Sequence, residues 1–157
     1  MMRPVNICLF NTMQSWGGGE KWHYETAILL KNNGFNVMLI TSTGSELHKK
    51  LQGIVTIQTI AAGNLSFLNP VKLLQVKKML LAFKTDTVLM NLPSDLKLAG
   101  LAAKWAGIKN IIYRRGSALP VKNSVLNRYL FGKVITGVIA NSIATKKNDS
   151  AKQCTAY

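Results

Sequence analysis

Three consecutive glycines near the start of the chain constrain its fold more than any other feature. Gly17, Gly18 and Gly19 separate an apolar run, Val5 to Phe10, from a segment that begins at Glu20 and suits a helix. Glycine allows positive φ and close approach of a ligand, and a helix start offers unpaired N–H groups at the positive end of its dipole. A strand, a glycine turn and a helix start in this order predict an α/β domain with a ligand-binding edge.

Strand-like and helix-like segments alternate along the rest of the chain. We predict strands at residues 5–10, 37–41, 54–60, 87–92, 110–113 and 136–140, and helices at 20–33, 45–51, 69–83, 93–106 and 123–132. Because right-handed crossovers join parallel neighbours, this alternation predicts a parallel sheet with helices on both faces. The fold class is therefore α/β, a Rossmann-like doubly wound sheet with the first strand central and the glycine turn at its carboxyl edge.

Size and composition favour one domain. The chain has 157 residues, of which 48% are hydrophobic, and this is enough for a single core. We expect that domain over residues 1–145 and a polar tail over residues 146–157 that begins an interdomain region. No apolar run reaches the roughly 20 residues of a membrane-spanning helix, and no signal peptide precedes the first strand, so a cytoplasmic location is expected. Cys8 and Cys154 lack metal-ligand spacing, and no metal is expected.

The charge of the chain is strongly positive. Lysine and arginine total 20 against six acidic residues, a formal net charge of +14. Such a field attracts nucleic acid, anionic lipid headgroups or phosphorylated small molecules, and it does not choose among them. Six of the basic residues and no acid lie between Lys109 and Lys133, which predicts one basic face.

Four loops that follow predicted strands are candidates for ligand contact, because ligands bind at the carboxyl ends of parallel strands. They lie at residues 11–19, 92–95, 114–120 and 141–142. The glycine turn lacks the G-x-G-x-x-G spacing of a dinucleotide site, and no Gly-Lys-Ser/Thr of a P-loop follows it. The turn on its own therefore predicts a binding edge without naming the ligand.

Two motifs carry a resemblance to a known family. Gly17-Gly18-Gly19-Glu20 opens a helix that leads to Asn33-Gly34-Phe35-Asn36-Val37, and Ile139-Ala140-Asn141-Ser142 ends the last predicted strand. In this order and separation the motifs resemble the N-terminal, acceptor-binding domain of GT-B glycosyltransferases of family 4, over residues 4–147. The resemblance implies substrate-binding roles for Gly17, Gly18, Gly19, Glu20, Asn141 and Ser142.

The resemblance also implies a partner domain and a class of substrate. Family members are two-domain enzymes whose C-terminal half binds a nucleotide-sugar, which serves as co-substrate without a cofactor or metal. The Glu-x7-Glu signature of that donor half is absent here, so this chain is expected to lack transferase activity alone. The acceptor implied is a cell-surface glycan or a lipid-linked molecule of polysaccharide or lipopolysaccharide biosynthesis. A positive acceptor domain of this kind is expected to bind the anionic inner face of the cell membrane peripherally.

One departure from the family concerns catalysis. Many members place a histidine after the fifth strand, where this chain has Arg114 and Arg115. An arginine cannot act as a general base, but its guanidinium can stabilise a leaving diphosphate, which suits retaining transfer. We take Arg114 and Arg115 as catalytic candidates and expect one to face the cleft and the other to form a solvated rim.

Each candidate also has a structural interpretation. Glu20 and Asp95 suit first-turn acids that complement helix dipoles, and Asn141 and Ser142 suit helix caps. His23 shares a helical stripe with apolar residues, which favours a buried packing histidine. Two other function classes stay open: a basic α/β domain that binds nucleic acid, which the absence of any recognised nucleic-acid motif disfavours, and a non-catalytic binding domain.

Overall fold

A computed structural model describes residues 3–116 and 123–140, and its centre is a six-stranded sheet. The strands are β1 (Asn6–Asn11), β2 (Asn36–Thr41), β3 (Thr56–Thr59), β4 (Thr87–Met90), β5 (Asn110–Arg115) and β6 (Gly137–Ala140). Their order is β3-β2-β1-β4-β5-β6, and every neighbouring pair is parallel. The predicted Rossmann-like sheet with its first strand in the centre is confirmed.

Helical segments connect the strands in every crossover. They are α1 (Gly18–Asn32), α2 (Glu46–Leu51), α3 (Pro70–Ala82), α4 (Pro93–Asp95), α5 (Leu101–Trp105) and α6 (Val125–Tyr129), with a 3₁₀ turn at Ser66–Leu68 and π-helical turns at Leu96–Gly100 and Leu130–Val134. The first π turn joins α4 to α5, so the single helix predicted over residues 93–106 is three consecutive helical segments. Helical crossovers between parallel strands place helices on both faces of the sheet.

The core has one layer on each side of the sheet because successive side chains of a strand point to opposite faces. From β1, Leu9 packs with the residues of α1 and α2, including Ala27 and Leu47. Phe10 points the other way and packs with the layer of α3, α5 and the two π-helical turns. All six residues of β1 are buried, as is expected for a central parallel strand covered on both faces.

Two element boundaries differ from the prediction in ways that affect the site. Helix α1 begins at Gly18 instead of Glu20, because glycine without a Cβ fits the first turn as well as the preceding loop. Strand β5 continues past Tyr113 through Arg114 and Arg115, which pair with Ile139 and Ala140 of β6. The loop that was predicted to begin at Arg114 is therefore the end of a buried strand.

The predicted single basic face between Lys109 and Lys133 is wrong. Arg114 and Arg115 lie in the buried end of β5, whereas Lys109 is exposed at the opposite end of that strand. Positive charge in this segment is thus divided between interior and surface. Across residues 3–116 and 123–140, no helix combines the length and apolar character needed to cross a membrane.

Candidate functional site

Asn11, the last residue of β1, links the strand to the helix that follows. Its side chain is fully buried, and Nδ2 donates to Glu20 Oε1 and to His23 Nδ1, each at 3.0 Å. Its Oδ1 accepts from the backbone N–H of Met13 at 3.0 Å. One amide therefore fixes the end of the strand, the start of the loop and the first two turns of α1.

The buried histidine of this group is neutral. Burial lowers the pKa of His23 to about 4, because the charged imidazolium loses its hydration. The neutral ring accepts a hydrogen bond from Asn11 and stacks edge-on against Trp22, with ring centroids 5.4 Å apart. The interpretation of His23 as a packing histidine is confirmed, and its packing supports the start of the candidate site.

Gly19 lies against the side chain that follows β4. A Cβ at this position would fall 3.1 Å from Cγ of Asn91 and closer still to its Nδ2, so a larger residue would displace Asn91. Gly18 has open space at the same point, and a Cβ at Gly17 would lie 3.0 Å from Glu20 Oε2. The prediction that the glycine turn lies at the carboxyl edge, beside the end of the fourth strand, is confirmed.

Arg114 joins the same group from β5. Its Nη1 donates to Asn91 Oδ1 at 2.7 Å, and its guanidinium carbon lies 4.8 Å from the ring centroid of Trp22, a cation–π contact. Burial lowers the pKa of Arg114, and the charge of Glu20 raises it in part. Its Nε is buried and has no hydrogen-bond partner among the described residues, so the guanidinium keeps an unused donor.

The expectation that one arginine forms a solvated rim is wrong. Arg114 is 7% exposed and Arg115 is 4% exposed. Strand alternation directs Arg114 toward α1 and Arg115 toward the opposite helical layer. The sequence indicated the alternation correctly, but β6 pairs beside both residues and encloses the end of the strand.

Asp95 ends the candidate loop at residues 92–95, and its contacts go beyond the predicted role of a first-turn acid. It is 1% exposed, and it accepts from the backbone N–H of Thr12 at 3.1 Å and from Thr12 Oγ1 at 2.5 Å. Burial raises its pKa to about 7, with a smaller rise from the charge of Glu20, although the two bonds from Thr12 oppose this. Asp95 therefore holds the loop after β1 in addition to its place in a helical first turn. The contact with Thr12 could be expected only from the topology, because β1 and β4 are neighbours in the sheet and the loops that follow them lie side by side.

The start of α1 leaves its N–H groups free of side-chain caps. Gly17 is the N-cap residue in an extended conformation, with φ −151°, and no side chain accepts from the first turn. The helical ladder begins with Lys21 N donating to Gly17 O at 2.9 Å. The N–H groups of Gly18, Gly19 and Glu20, at the positive end of a 15-residue helix, are oriented to bind an anion.

Two further predictions and one observation concern what the site holds. Asn141 and Ser142 lie outside the described residues, so their substrate-binding roles stay predictions. Within residues 3–116 and 123–140, no three histidine, cysteine or acidic side chains are grouped to hold a metal. Two surface depressions, one beside Lys104 and one beside Lys31, lie at the amino edge of the sheet and include none of the site residues.

Comparison with known proteins bears on the fold. No protein-family model matches the chain, and no curated protein matches it in sequence. Solved structures do match. A glycosyltransferase from Rickettsia africae superposes with a TM-score of 0.76 at 20% identity, over 93% of this chain and 39% of that one. Anabaena HepE, solved with UDP and glucose, gives 0.71 at 17% identity, over 94% and 41%.

This chain has the fold of one half of a GT-B glycosyltransferase. A UDP-GlcNAc 2-epimerase from Neisseria meningitidis, solved with UDP-GlcNAc, also matches, with a TM-score of 0.68 at 17% identity over 95% of this chain and 43% of that one. The chain therefore spans about two fifths of the length of each of these structures. Similarity at this level of identity establishes the fold of a GT-B half and does not assign a reaction.

Proposed function

We propose that this chain is the acceptor-binding half of a retaining glycosyltransferase similar to family 4. With a donor-binding domain, it would transfer a sugar from a nucleotide-sugar to a glycan or lipid-linked acceptor in polysaccharide or lipopolysaccharide biosynthesis. The observation that carries the proposal is the uncapped glycine start of α1, packed through Asn91 against the buried Arg114.

The chemistry of a leaving diphosphate suits this arrangement. Negative charge develops on the diphosphate as the sugar departs, and preorganised donors stabilise that charge without reorganisation. The free N–H groups of Gly18 and Gly19 and the permanent charge of Arg114 supply positive potential at one edge of the sheet. In retaining transfer the diphosphate can itself accept the acceptor's proton, so no general base is required where other family members have histidine.

The remaining site residues are assigned to the acceptor. Glu20 accepts from Asn11 through Oε1, and its Oε2 lies 3.0 Å from the position that a Cβ of Gly17 would take. A carboxylate oxygen there can accept from a sugar hydroxyl. Asn141 and Ser142 would add polar contacts from the end of β6, an assignment that rests on their motif. We propose no cofactor and no metal, with the nucleotide-sugar as co-substrate.

We also propose that the parent enzyme works at the inner face of the cell membrane. The net charge of +14 supports this, because a basic protein is drawn to anionic lipid headgroups. Nucleic acid is the less favoured anionic partner, since no nucleic-acid-binding motif accompanies the charge.

The test is a transfer assay on the protein expressed with the whole of its open reading frame. Radiolabelled nucleotide-sugars are supplied singly with a membrane lipid extract or glycan acceptors, and label in the acceptor is counted. With donor saturating, we expect Arg114→Ala to lower turnover by about 100-fold or more. Arg128→Ala, at an exposed arginine of α6, is the matched control and should leave turnover unchanged.

Other outcomes would reject the proposal. Equal turnover in the Arg114→Ala and Arg128→Ala proteins would remove Arg114 from the site. Conversion of UDP-GlcNAc to its epimer without any acceptor would indicate a nucleotide-sugar epimerase instead. Salt-sensitive binding of oligonucleotides without transfer would favour the nucleic-acid class. Arg115→Ala should lower the melting temperature and leave the turnover of the folded protein nearly unchanged, because the buried Arg115 side chain points away from α1.

A further inference from the structure

Trp16, in the loop between β1 and α1, exposes a large aromatic ring beside the glycine turn. It is 39% exposed, although tryptophan side chains are mostly buried in folded domains, and it directly precedes Gly17. The loop follows the central strand, so it lies at the carboxyl edge of the sheet with the other site residues. An exposed aromatic ring at this edge is available to a ligand.

Side chains from two helices fix the orientation of the ring. The Nζ of Lys50, in the last turn of α2, lies 4.8 Å from the ring centroid of Trp16, a cation–π contact. Tyr24 of α1 packs edge-to-face with the same ring, with centroids 6.1 Å apart. The indole is therefore held in place without being buried, and a ligand that stacks on it would lose little free energy in ordering it.

Backbone hydrogen bonds anchor the loop on both sides of the ring. On one side, Gln14 O accepts from Glu46 N at 3.2 Å, which joins the loop to the start of α2. On the other side, Gly17 O accepts from Lys21 N at 2.9 Å, the first bond of α1. The segment that carries Trp16 is thus attached to two helices, and a rigid support of this kind favours recognition.

The ammonium group of Lys50 is available to an anion. Its neighbour Lys49 is not, because Lys49 Nζ lies 2.7 Å from Glu46 Oε1. Lys50 is exposed and forms no ion pair within residues 3–116 and 123–140. A lysine can pack its stem on a neighbouring group while its charged end stays in water. Trp16 and Lys50 therefore offer a ligand an aromatic face and a positive charge side by side.

A sugar that carries a negative group matches this pair of side chains. The C–H groups on one face of a pyranose are apolar, and stacking buries them against the negative face of the indole. A phosphate or carboxylate on the same sugar can accept a charge-assisted hydrogen bond from the lysine. A neutral sugar would use the ring alone and a free anion the lysine alone, so only the combined ligand uses both.

We propose that Trp16 and Lys50 form an acceptor subsite for an anionic sugar, one that bears a phosphate or a carboxylate. The inference deepens the proposed function and rests on it for its purpose, because it names the chemical class of the acceptor. The subsite is distinct from the N–H groups of Gly18 and Gly19 proposed for the donor diphosphate. It extends the site from the glycine turn toward α2.

The test is titration of the 157-residue chain with small sugars, followed through the backbone N–H signal of Gly17 in ¹H–¹⁵N NMR spectra. The probes are glucose 1-phosphate and glucuronic acid, which separate a phosphate from a carboxylate, with methyl glucoside as the neutral sugar and inorganic phosphate as the free anion. We expect at least one anionic sugar to bind about tenfold or more tightly than either methyl glucoside or inorganic phosphate.

Variants assign that binding to the two side chains. Trp16→Ala should weaken it by about tenfold, whereas Trp16→Phe keeps an aromatic face and should stay within about threefold. Lys50→Gln should reduce the preference for the anionic sugar over methyl glucoside by about tenfold. The matched controls are Trp105→Ala, at a tryptophan 53% exposed at the end of α5, and Lys104→Gln beside it, and both should stay within about twofold.

Three results would overturn the inference. One is binding of inorganic phosphate as tight as that of both anionic sugars, which would indicate a site for the anion alone. Another is a loss in Trp16→Phe as large as in Trp16→Ala, since the ring would then not act by stacking. The third is an equal loss in the Trp105→Ala and Lys104→Gln controls. Binding is measured without nucleotide-sugar and should be unaffected by Arg114→Ala, so it can fail or succeed independently of the transfer assay.

Discussion

Helices α1 and α3 both begin at the carboxyl edge of the sheet, yet they begin in opposite ways. At α3, the Asn69 side chain accepts from Val71 N at 2.9 Å and from Lys72 N at 3.4 Å, and Pro70 fits the first position. At α1, Gly17 offers no side chain, and the first-turn N–H groups have no cap. The first-turn N–H groups of α3 are capped by a side chain, and those of α1 are not.

The remaining helices also differ in whether a side chain caps their first turn, and the difference follows their position relative to the candidate site. Ser45 caps α2 and Ser124 caps α6 through their hydroxyls, whereas α4 begins at Pro93 after Leu92, which provides no side-chain cap. Helix α5 also lacks a side-chain cap, but it continues directly from a π-helical turn. The two helices that begin from a loop without a side-chain cap, α1 and α4, are those that contain Glu20 and Asp95. A side-chain cap typically stabilises a helix start by about 1 kcal/mol, so its absence where polar side chains converge favours a binding role.

The largest expected effect is a pH dependence of the unfolding free energy. It arises from His23 and Asp95 near the start of α1 and has no counterpart in Asn69 at the start of α3. His23 has a folded pKa of about 4 against about 6.5 unfolded, so its contribution to stability is lost as pH falls through that window. Asp95 has a folded pKa of about 7 against 3.8, so its contribution is present at low pH and lost as pH rises toward 7. The two slopes oppose each other, and we expect them to cancel in part in the unaltered protein.

Single variants should expose the two slopes. Asp95→Asn should leave a protein that loses roughly 3 kcal/mol of unfolding free energy between pH 7 and pH 4, and His23→Gln should leave the opposite slope of similar size. Urea denaturation at pH 4, 5.5 and 7 measures both. Asn69→Ala, at the α3 start, is the control and should shift the whole profile without changing its shape. Identical profiles for all three variants would contradict the buried-pair interpretation.

The second prediction concerns one added methyl group in the first turn of α1. Gly19→Ala places a Cβ within contact distance of the Asn91 amide and should cost about 1–3 kcal/mol, because Asn91 must move away from Arg114. Gly18→Ala meets open space and should be neutral or stabilising by up to about 1 kcal/mol. Denaturant midpoints compare the two, and an equal cost at both positions would show that the close approach at Gly19 is unimportant.

The third prediction concerns removal of the side-chain cap of α3. Asn69→Ala removes the acceptor for the first-turn N–H groups of α3 and should cost about 1 kcal/mol. Gln75→Ala, at an exposed position within the same helix, is the control and should change stability by less than about 0.5 kcal/mol. Thermal unfolding followed by circular dichroism measures both, and an equal shift in the two variants would deny the cap a role.

The fourth variant adds a side chain at the uncapped start of α1 and has the smallest expected effect on stability. Gly17→Ser gives α1 a potential cap, and the extended backbone at Gly17 is accessible to any residue. The new Cβ would lie 3.0 Å from Glu20 Oε2, the end of a flexible side chain that can shift by a few tenths of an ångström. Stability should change by only a few tenths of a kcal/mol. Turnover of the full-length protein should nevertheless fall, because the serine hydroxyl competes for the N–H groups proposed to bind diphosphate. Unchanged turnover together with unchanged stability would mean that those N–H groups take no part.

Much of the fold could be predicted because strands and helices follow from hydrophobic periodicity and from capping residues that are close together in the sequence. Apolar runs separated by helical stripes give alternating strands and helices, and Asn69 followed by Pro70 marks one helix start within two residues. Gly34, with φ 82°, ends α1 as predicted, since few other residues adopt that conformation. Boundaries failed where pairing with a neighbouring strand extended an element, as β6 does for Arg114 and Arg115.

The candidate site was predicted in part for the same reason. The glycine turn and Glu20 follow from local pattern, but the partners of these residues come from distant segments. Asn91 is 72 positions from Gly19, and the Thr12–Asp95 bond spans 83 positions. Periodicity within the sequence does not show which strands become neighbours, so the contacts of Asn91 and Asp95 could not be predicted.

The sequence by itself determined that this chain forms parallel βα units with an open, glycine-rich helix start, because strand period, helix period and glycine conformations are local properties. Only the tertiary structure decided that β4 and β5 lie beside β1, and with that which polar side chains meet. The physical reason is burial. The same packing that brings Asn91, Asp95 and Arg114 to the glycine turn also removes their water, and so it sets the protonation of Asp95 and His23 and encloses the arginine predicted to form a rim.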